Sequence, residues 1–217
     1  MQSRGARSQV MFVFDWDNTL VDTHEKGLEC SLRAVRAAGV TVSAEDFRRG
    51  YIPDYHAVYR ALGIAEHRFD EVDAAWLRFY GGEVPTRCFD DVRPVLDALS
   101  ARGHRLALVT TGQRSRVHRE LGQLGLDGRF ARVICREDVS LVKPAPDAVF
   151  LLRESFPEVE RFTLVGDHPD DVEMARRGGI QGVLLRRGGA AGAGEIASLR
   201  ELLALSPGHV AQQEGAI

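Results

Sequence analysis

Apolar and polar positions follow three successive rhythms along this chain. Residues 10–14, Val-Met-Phe-Val-Phe, form an unbroken apolar run, the pattern of a short strand buried on both faces. The run ends abruptly in Asp15-Trp16-Asp17-Asn18-Thr19-Leu20. A helical period follows. Leu28, Leu32, Val35 and Ala38 predict a helix opened by Asp22 or Thr23 and ended by Gly39. Ser43-Ala44-Glu45-Asp46 reads as an approximate capping box for a second helix, broken by Pro53. Tyr55, Val58, Tyr59 and Leu62 predict a third. Phe69, Val72, Trp76, Leu77 and Phe79 give a broad apolar stripe over a fourth, residues 66–80, before a linker marked by Gly81, Gly82 and Pro85. No strand pattern interrupts residues 22–88.

From Phe89 onward helix and strand alternate. Helices are predicted at 92–102, 115–124, 147–155, 169–177 and 195–205. Short apolar runs predict strands at 106–109, 132–135, 162–165 and 182–185. Residues 188–194 read as a Gly/Ala loop, and the tail after Pro207 as frayed. This alternation predicts an α/β fold: a doubly wound, mostly parallel sheet with helices on both faces. The strand at 10–14 belongs to that sheet, so the helical block is an insertion. The predicted domains are an α/β core of residues 1–21 and 89–217, and an all-helical cap of residues 22–88.

Composition narrows the functional classes. The chain has 217 residues, of which 44% are hydrophobic and 27% charged, with a net charge of −3. These values suit a soluble globular protein and give no general attraction to nucleic acid or anionic membrane. The Arg-rich stretch at 114–119 is interrupted by other residues and reads as a solvated helix face. Cys30, Cys88 and Cys135 are odd in number and widely spaced, as expected of reduced thiols rather than a disulfide frame. No apolar stretch has signal-peptide or transmembrane character, so a cytoplasmic protein is expected.

The chemistry collects at strand ends. Asp15 and Asp17 end the first strand, Thr110 the second and Asp167 the fourth; all fall along the sheet edge where such folds bind ligands. Lys143, before Pro144, and Asp171, four residues after Asp167, lie on segments able to reach the same crevice. Carboxylates, one lysine, a hydroxyl and backbone N–H donors suit phosphoryl transfer with a hard cation. Mg²⁺ takes carboxylate oxygens and bridges to phosphate, while Thr110 and the N–H groups of Thr111 and Gly112 can hold the other phosphate oxygens.

Asp15-Trp16-Asp17-Asn18-Thr19-Leu20, Thr110 after an apolar strand, Lys143-Pro144, and Gly166-Asp167-His168-Pro169-Asp170-Asp171 resemble the four motifs of the haloacid dehalogenase (HAD) superfamily. The helical insertion is similar to the cap of its phosphoglycolate-phosphatase-like branch. The resemblance implies a Rossmann-like core and a Mg²⁺-dependent phosphatase acting through an aspartyl-phosphate. Asp15 would be the nucleophile and Asp17 the acid and base. Thr110 and Lys143 would hold the phosphoryl group, together with Trp16, Asn18, Thr111 and Gly112 around it. Asp15, the backbone carbonyl of Asp17, and Asp167 would ligate the metal, with Asp171 as a further ligand or its support. Dehalogenating relatives lack an acid two residues after the nucleophile, so Asp17 favours phosphate esters.

Asn18 stands where glycine is frequent, Thr111 where asparagine is, and His168 where a small hydroxyl residue is; a helix-capping role is preferred for His168. Arg48, Arg49, Tyr51, Tyr55 and His56 are candidate cap residues for substrate choice. The expected partner is a small phosphorylated metabolite, with no nucleic acid or membrane, for a monomer or homodimer. The alternatives are a phosphomutase of the same superfamily acting on a sugar phosphate, and a non-catalytic phospho-ligand binding protein.

Overall fold

The computed structural model describes residues 10–81 and 85–204. At its centre lies a six-stranded sheet, all parallel, in the order β3-β2-β1-β4-β5-β6. Its strands are β1 (Val10–Phe14), β2 (Arg105–Val109), β3 (Arg132–Ile134), β4 (Arg161–Gly166), β5 (Gln181–Leu185) and β6 (Glu195–Ile196). Helices α5 (Val92–Ala101), α6 (Arg114–Gln123), α7 (Asp147–Ser155) and α8 (Pro169–Arg177) belong to this part of the chain. The doubly wound α/β architecture expected from the alternation is what the chain adopts.

The pleat of β1 divides the core. Val10, Phe12 and Phe14 join Leu96, Leu108 and Val165 on one face, whereas Met11 and Val13 join Ala107, Val109 and Leu164 on the other. Every residue of β1 is buried, which is why its sequence is continuously apolar rather than alternating. Phe14 pairs in register with Leu108 of β2 and Val165 of β4. The C-terminal ends of these three strands are therefore level, and the strand order reverses between β1 and β4, the place where open α/β sheets bind ligands.

Helices α1 (His24–Ala37), α2 (Ala44–Arg49), α3 (Tyr55–Ala61) and α4 (Phe69–Tyr80) leave and re-enter the sheet domain through adjacent segments. Asp22 N–H donates to Arg87 O (2.9 Å) and Phe89 N–H to Leu20 O (3.2 Å). Val21 and Cys88 form a single antiparallel bridge, a local pairing that the helical reading of 22–88 does not contain. The four helices enclose their own apolar cluster of Ala34, Val35, Phe47, Val58, Phe69 and Val72, among others.

The C-terminal expectation requires correction. Residues 195–196 form β6, paired with Leu184 and Leu185, and Leu199–Leu203 is a 3₁₀ turn instead of part of an α-helix. Asp91 is the physical reason: its carboxylate accepts from Ser198 Oγ (2.8 Å) and Leu199 N–H (2.9 Å), pinning the segment as it leaves the strand. Leu199 and Leu202, three apart, then both enter the core, as three residues per turn requires. The predicted linker glycine Gly82, Leu205 and the tail after Pro207 lie outside the described residues.

Candidate active site

Asp15 begins where β1 ends; its N–H still bonds Val165 O of β4 at 2.9 Å, which holds the residue at the switch point. The chain then turns sharply, with Asn18 N–H to Val21 O at 2.7 Å and Leu20 N–H to Trp16 O at 2.9 Å. Asn18 takes φ 58°, the left-handed region. Asparagine is one of the few residues besides glycine that tolerates it. Thr19 is buried and donates its hydroxyl to Asp167 Oδ1 at 3.0 Å, fixing the carboxylate at the end of β4 against the first motif.

Lys143 joins the pieces. Its ammonium, 5% exposed, lies 2.6 Å from Asp15 Oδ1 and 2.6 Å from Asp171 Oδ1. Burial alone would lower its pKa, but the two carboxylates more than offset this and keep it protonated. Asp171 Oδ2 also accepts from His168 N–H (3.2 Å), while His168 Nδ1 accepts from Asp170 N–H (3.2 Å). His168 thus caps α8, the role preferred for it. Gly166 is required here: a Cβ on it would fall 2.2 Å from the Asp171 carboxyl.

One oxygen each of Asp15, Asp167 and Asp171 lie within 4.8 Å of one another. Burial, opposed by Lys143 but reinforced by Asp171, Asp167 and Asp17, pushes Asp15 well above the ordinary carboxylate range. Burial and Asp171 likewise raise Asp167. This excess of buried negative charge, on hard oxygen donors, is what a divalent cation would relieve, so the residues fit Mg²⁺.

Asp17 sits apart from this cluster. Arg116 grips both of its oxygens, Nη1–Oδ1 at 2.8 Å and Nη2–Oδ2 at 2.5 Å, and Thr23 donates to Oδ1 at 2.9 Å. The Thr23 hydroxyl is thereby diverted from capping α1. Although burial favours the acid form, Arg116 and Thr23 hold Asp17 below the ordinary carboxylate range. The reading of 114–119 as solvated is therefore wrong at Arg116, which is 3% exposed. It is also paired with buried Glu120 at 3.1 Å. Glu120 in turn accepts from Trp16 Nε1 (2.8 Å) and Thr86 Oγ1 (2.6 Å). The Arg116–Glu120 spacing of four residues, beside Val117 and Leu121, was the available signal for a buried pair.

The proposed phosphate cradle is partly engaged already. Thr110 Oγ1 accepts from Gly112 N–H at 2.9 Å, and Asn18 N–H is used within the turn. A Cβ on Gly112 would meet Arg116 Nη2 at 2.3 Å, so this position must stay bare for Arg116 to reach Asp17. Trp16 is fully buried with its indole on Glu120, so its side chain is turned away from any phosphate. Thr111 remains at the rim.

A cleft of about 230 Å³ opens beside Asp17, Asn18, Thr111 and Gly112, between the sheet domain and the helical insertion. Of the five expected cap residues, Arg48, Tyr51 and Tyr55 line it. Tyr51 lines the cleft although about half of the residue stays exposed. The other two serve elsewhere. Arg49 pairs with Glu45 (2.8 Å) and Asp46 (2.9 Å) on the surface. His56 bridges Asp73 (3.0 Å) and Arg136 (2.7 Å), a tie between the insertion and the loop after β3.

Fold and strand-end motifs together define a class, and the chain belongs to it: residues 12–185 match the haloacid dehalogenase-like hydrolase family. It is 29% identical over 188 residues to the tyrosine-protein kinase PtkA of Mycobacterium tuberculosis, covering 84% of this chain but only 64% of that protein's length. It is 28% identical over 181 residues to the phosphoglycolate phosphatase of Agrobacterium fabrum, covering 79% of this chain and 78% of that one. The solved structure of CbbY from Rhodobacter sphaeroides in complex with phosphate has a TM-score of 0.72 at 20% identity, covering 88% and 95% of the two chains. At that identity the likeness speaks for the fold alone. Among the described residues no helix is long and apolar enough to cross a membrane.

Proposed function

We propose that this hydrolase is a Mg²⁺-dependent phosphatase of small phosphomonoesters, working through an aspartyl-phosphate on Asp15. The observation that carries the reading is the meeting of Asp15, Lys143, Asp167 and Asp171 at the switch point. Similarity to a phosphoglycolate phosphatase over most of both chains supports it.

Asp15, Asp167, Asp171 and the Asp17 carbonyl would hold Mg²⁺, which when bound supplies Lewis-acid neutralisation of phosphate charge. The Asp15 carboxylate attacks phosphorus and the ester P–O bond breaks, while Lys143 and Thr110 hold the non-bridging oxygens as charge spreads over them. Asp17, protonated once it leaves Arg116, gives its proton to the departing alkoxide and then, ionised, takes the proton of the water that hydrolyses the acyl phosphate. Its pairing with Arg116 suits the second duty, because an ionised carboxylate accepts a proton; for the first, Asp17 must turn away from Arg116 toward the leaving oxygen. The helical insertion acts as the cap that covers this step and excludes water.

Release of inorganic phosphate from acetyl phosphate tests the reading. Turnover is expected with Mg²⁺, and its loss with EDTA and in Asp15→Asn. Equal turnover in Asp15→Asn would overturn the nucleophile assignment, and turnover indifferent to EDTA the metal.

A further inference from the structure

Many of the polar groups lining the cleft beside Asp17 are already engaged. Trp76 Nε1 donates to Ser31 (3.1 Å), Tyr59 Oη to Asp73 (3.1 Å), and Tyr80 Oη shares a hydrogen bond with Thr86 (3.2 Å). Arg116 holds Asp17 and Glu120, and Arg48 pairs with Glu25 at 3.4 Å. Tyr51 and His24 are exposed to solvent. Two oxygens stand apart from these. Tyr55 and Gln113 both line the cleft, and Tyr55 Oη and Gln113 Oε1 are buried with no hydrogen-bond partner among the described residues. An unbonded polar atom out of water is costly, so a bound group that pairs with it gains more than it would elsewhere on the wall.

The Tyr55 ring is held in place: it meets His56 edge-on with centroids 4.9 Å apart, and the Arg136 guanidinium lies 4.5 Å over its face. Gln113 stands at the N-cap of α6 but spends no side-chain bond on that helix; only its backbone carbonyl is used, accepting from Val117 N–H at 3.1 Å. Tyr55 belongs to the helical insertion and Gln113 to the sheet domain, so the pair comes to the cleft from its two sides. A cap must lift to admit substrate, and lifting parts these two walls and opens both oxygens.

The two atoms ask for different things. An amide oxygen only accepts, whereas a phenol can donate. A body carrying hydroxyls can donate to Gln113 Oε1 and accept from Tyr55 Oη. A carboxylate can accept from Tyr55 but leaves Gln113 unpaired, and a hydrocarbon leaves both unpaired. Leu28, Phe47, Val58 and Trp76 supply apolar wall against which the C–H face of a polyol packs. At about 230 Å³ the cleft lies below the roughly 300–1,000 Å³ of drug-sized pockets, so the body is small.

Resting on the phosphatase reading above, we infer that Tyr55 and Gln113 are specificity-determining residues that read hydroxyls on the leaving group, so that the substrate is a small polyhydroxylated phosphomonoester gripped between the insertion and the sheet domain. The ester oxygen then lies at the Asp17 end of the cleft and the hydroxyls between Tyr55 and Gln113.

Steady-state phosphate release with Mg²⁺ from five compounds tests this: glycerol 3-phosphate, ribose 5-phosphate, propyl phosphate, 2-phosphoglycolate and acetyl phosphate. Propyl phosphate has the carbon chain of glycerol 3-phosphate without its hydroxyls, and both lose a primary alkoxide, so the comparison reads the cleft. The better of the two hydroxylated esters is expected to exceed propyl phosphate and 2-phosphoglycolate in kcat/KM by about ten-fold or more. Tyr55→Phe and Gln113→Leu, which remove the polar atoms and keep the bulk, are each expected to lower the ratio of hydroxylated ester to propyl phosphate efficiency about five-fold or more. A loss of folded protein would scale both substrates alike and leave that ratio where it was. If acetyl phosphate is cleaved while propyl phosphate or 2-phosphoglycolate equals or surpasses both hydroxylated esters, or while neither substitution moves the ratio, the inference is overturned and the phosphatase reading stands. Cleavage of none of the five would overturn both.

Discussion

Arg116 and Asp17, 99 positions apart in sequence, are locked by two parallel hydrogen bonds, with the guanidinium almost fully buried. The same guanidinium bonds Glu120, and its plane lies 5.4 Å from the Trp76 ring and 5.2 Å from the Tyr80 ring. One cation thus ties the loop after β1, α6 and the helical insertion together. Removing it would leave the buried Glu120 and the partly exposed Asp17 without their shared counter-charge. Arg116→Met is expected to destabilise the fold by about 3–5 kcal/mol in urea unfolding. Arg116→Lys should recover only part, because an ammonium cannot reproduce the bidentate grip. Adding Glu120→Gln to Arg116→Met should cost less than the sum of the single changes, a coupling that a double-mutant cycle would read. Strict additivity would refute the network.

Lys143 neutralises two buried carboxylates that also form the proposed cation site. Lys143→Met should therefore separate two effects. Phosphate release is expected to fall by about 10²–10³-fold, the scale for losing a charge-stabilising group at a reacting centre. Thermal stability without metal should fall too, and the gain in Tm on adding Mg²⁺ should be larger than in the unsubstituted protein, since the cation would then be the only counter-charge. An unchanged Mg²⁺ response would argue against shared duty between Lys143 and the metal.

Two glycines make opposite predictions. Gly166 lies under Asp171 with no room for a methyl group, whereas Gly27 in α1 has nothing within 4 Å of an added Cβ. Gly166→Ala should displace Asp171 and weaken the Mg²⁺ dependence of both Tm and turnover. Gly27→Ala should raise stability by about 0.5–1 kcal/mol, the helix-propensity gain, readable as a higher urea midpoint.

The strand-end chemistry was legible in sequence because burial leaves a plain mark. A run such as Val10–Phe14 can only be a buried strand, and polar residues at its end must sit at the sheet edge. Asp15, Asp167, Lys143 and Asp171 converge for that reason. Arg116 was not legible, because Arg-Ser-Arg-Val-His-Arg-Glu reads as a wet helix until Asp17 is brought across from another element. Arg49 and His56, candidates by sequence, do not line the cleft and instead pair with Glu45, Asp46, Asp73 and Arg136, partners that no local pattern announces. The two-residue strand β6 carries no period at all. Its place is dictated by Asp91, more than 100 residues earlier, through Ser198 and Leu199.

Asp91 supplies the last prediction, one of stability against pH. Its buried carboxylate accepts from Arg187 Nη2 (3.0 Å) and Nη1 (3.2 Å) as well as from Ser198 and Leu199. Arg187 also donates to Thr19 O (2.7 Å), so the knot braces the loop after β1. Burial opposes the charge, but Arg187, Ser198 and the Leu199 N–H outweigh it and hold Asp91 below its ordinary range. A carboxylate lowered in the folded state contributes stability that is fully present above the unfolded value, about 3.9, and is lost as pH falls through the folded value. Asp91→Asn is therefore expected to be less stable than the parent by about 2–3 kcal/mol at pH 7. That gap should narrow as the pH drops below about 4, because the parent then loses the same charge. Urea denaturation of both proteins across this range reads the difference directly. A gap that stays constant into strong acid would show that Asp91 holds the C-terminal segment by shape and not by its charge.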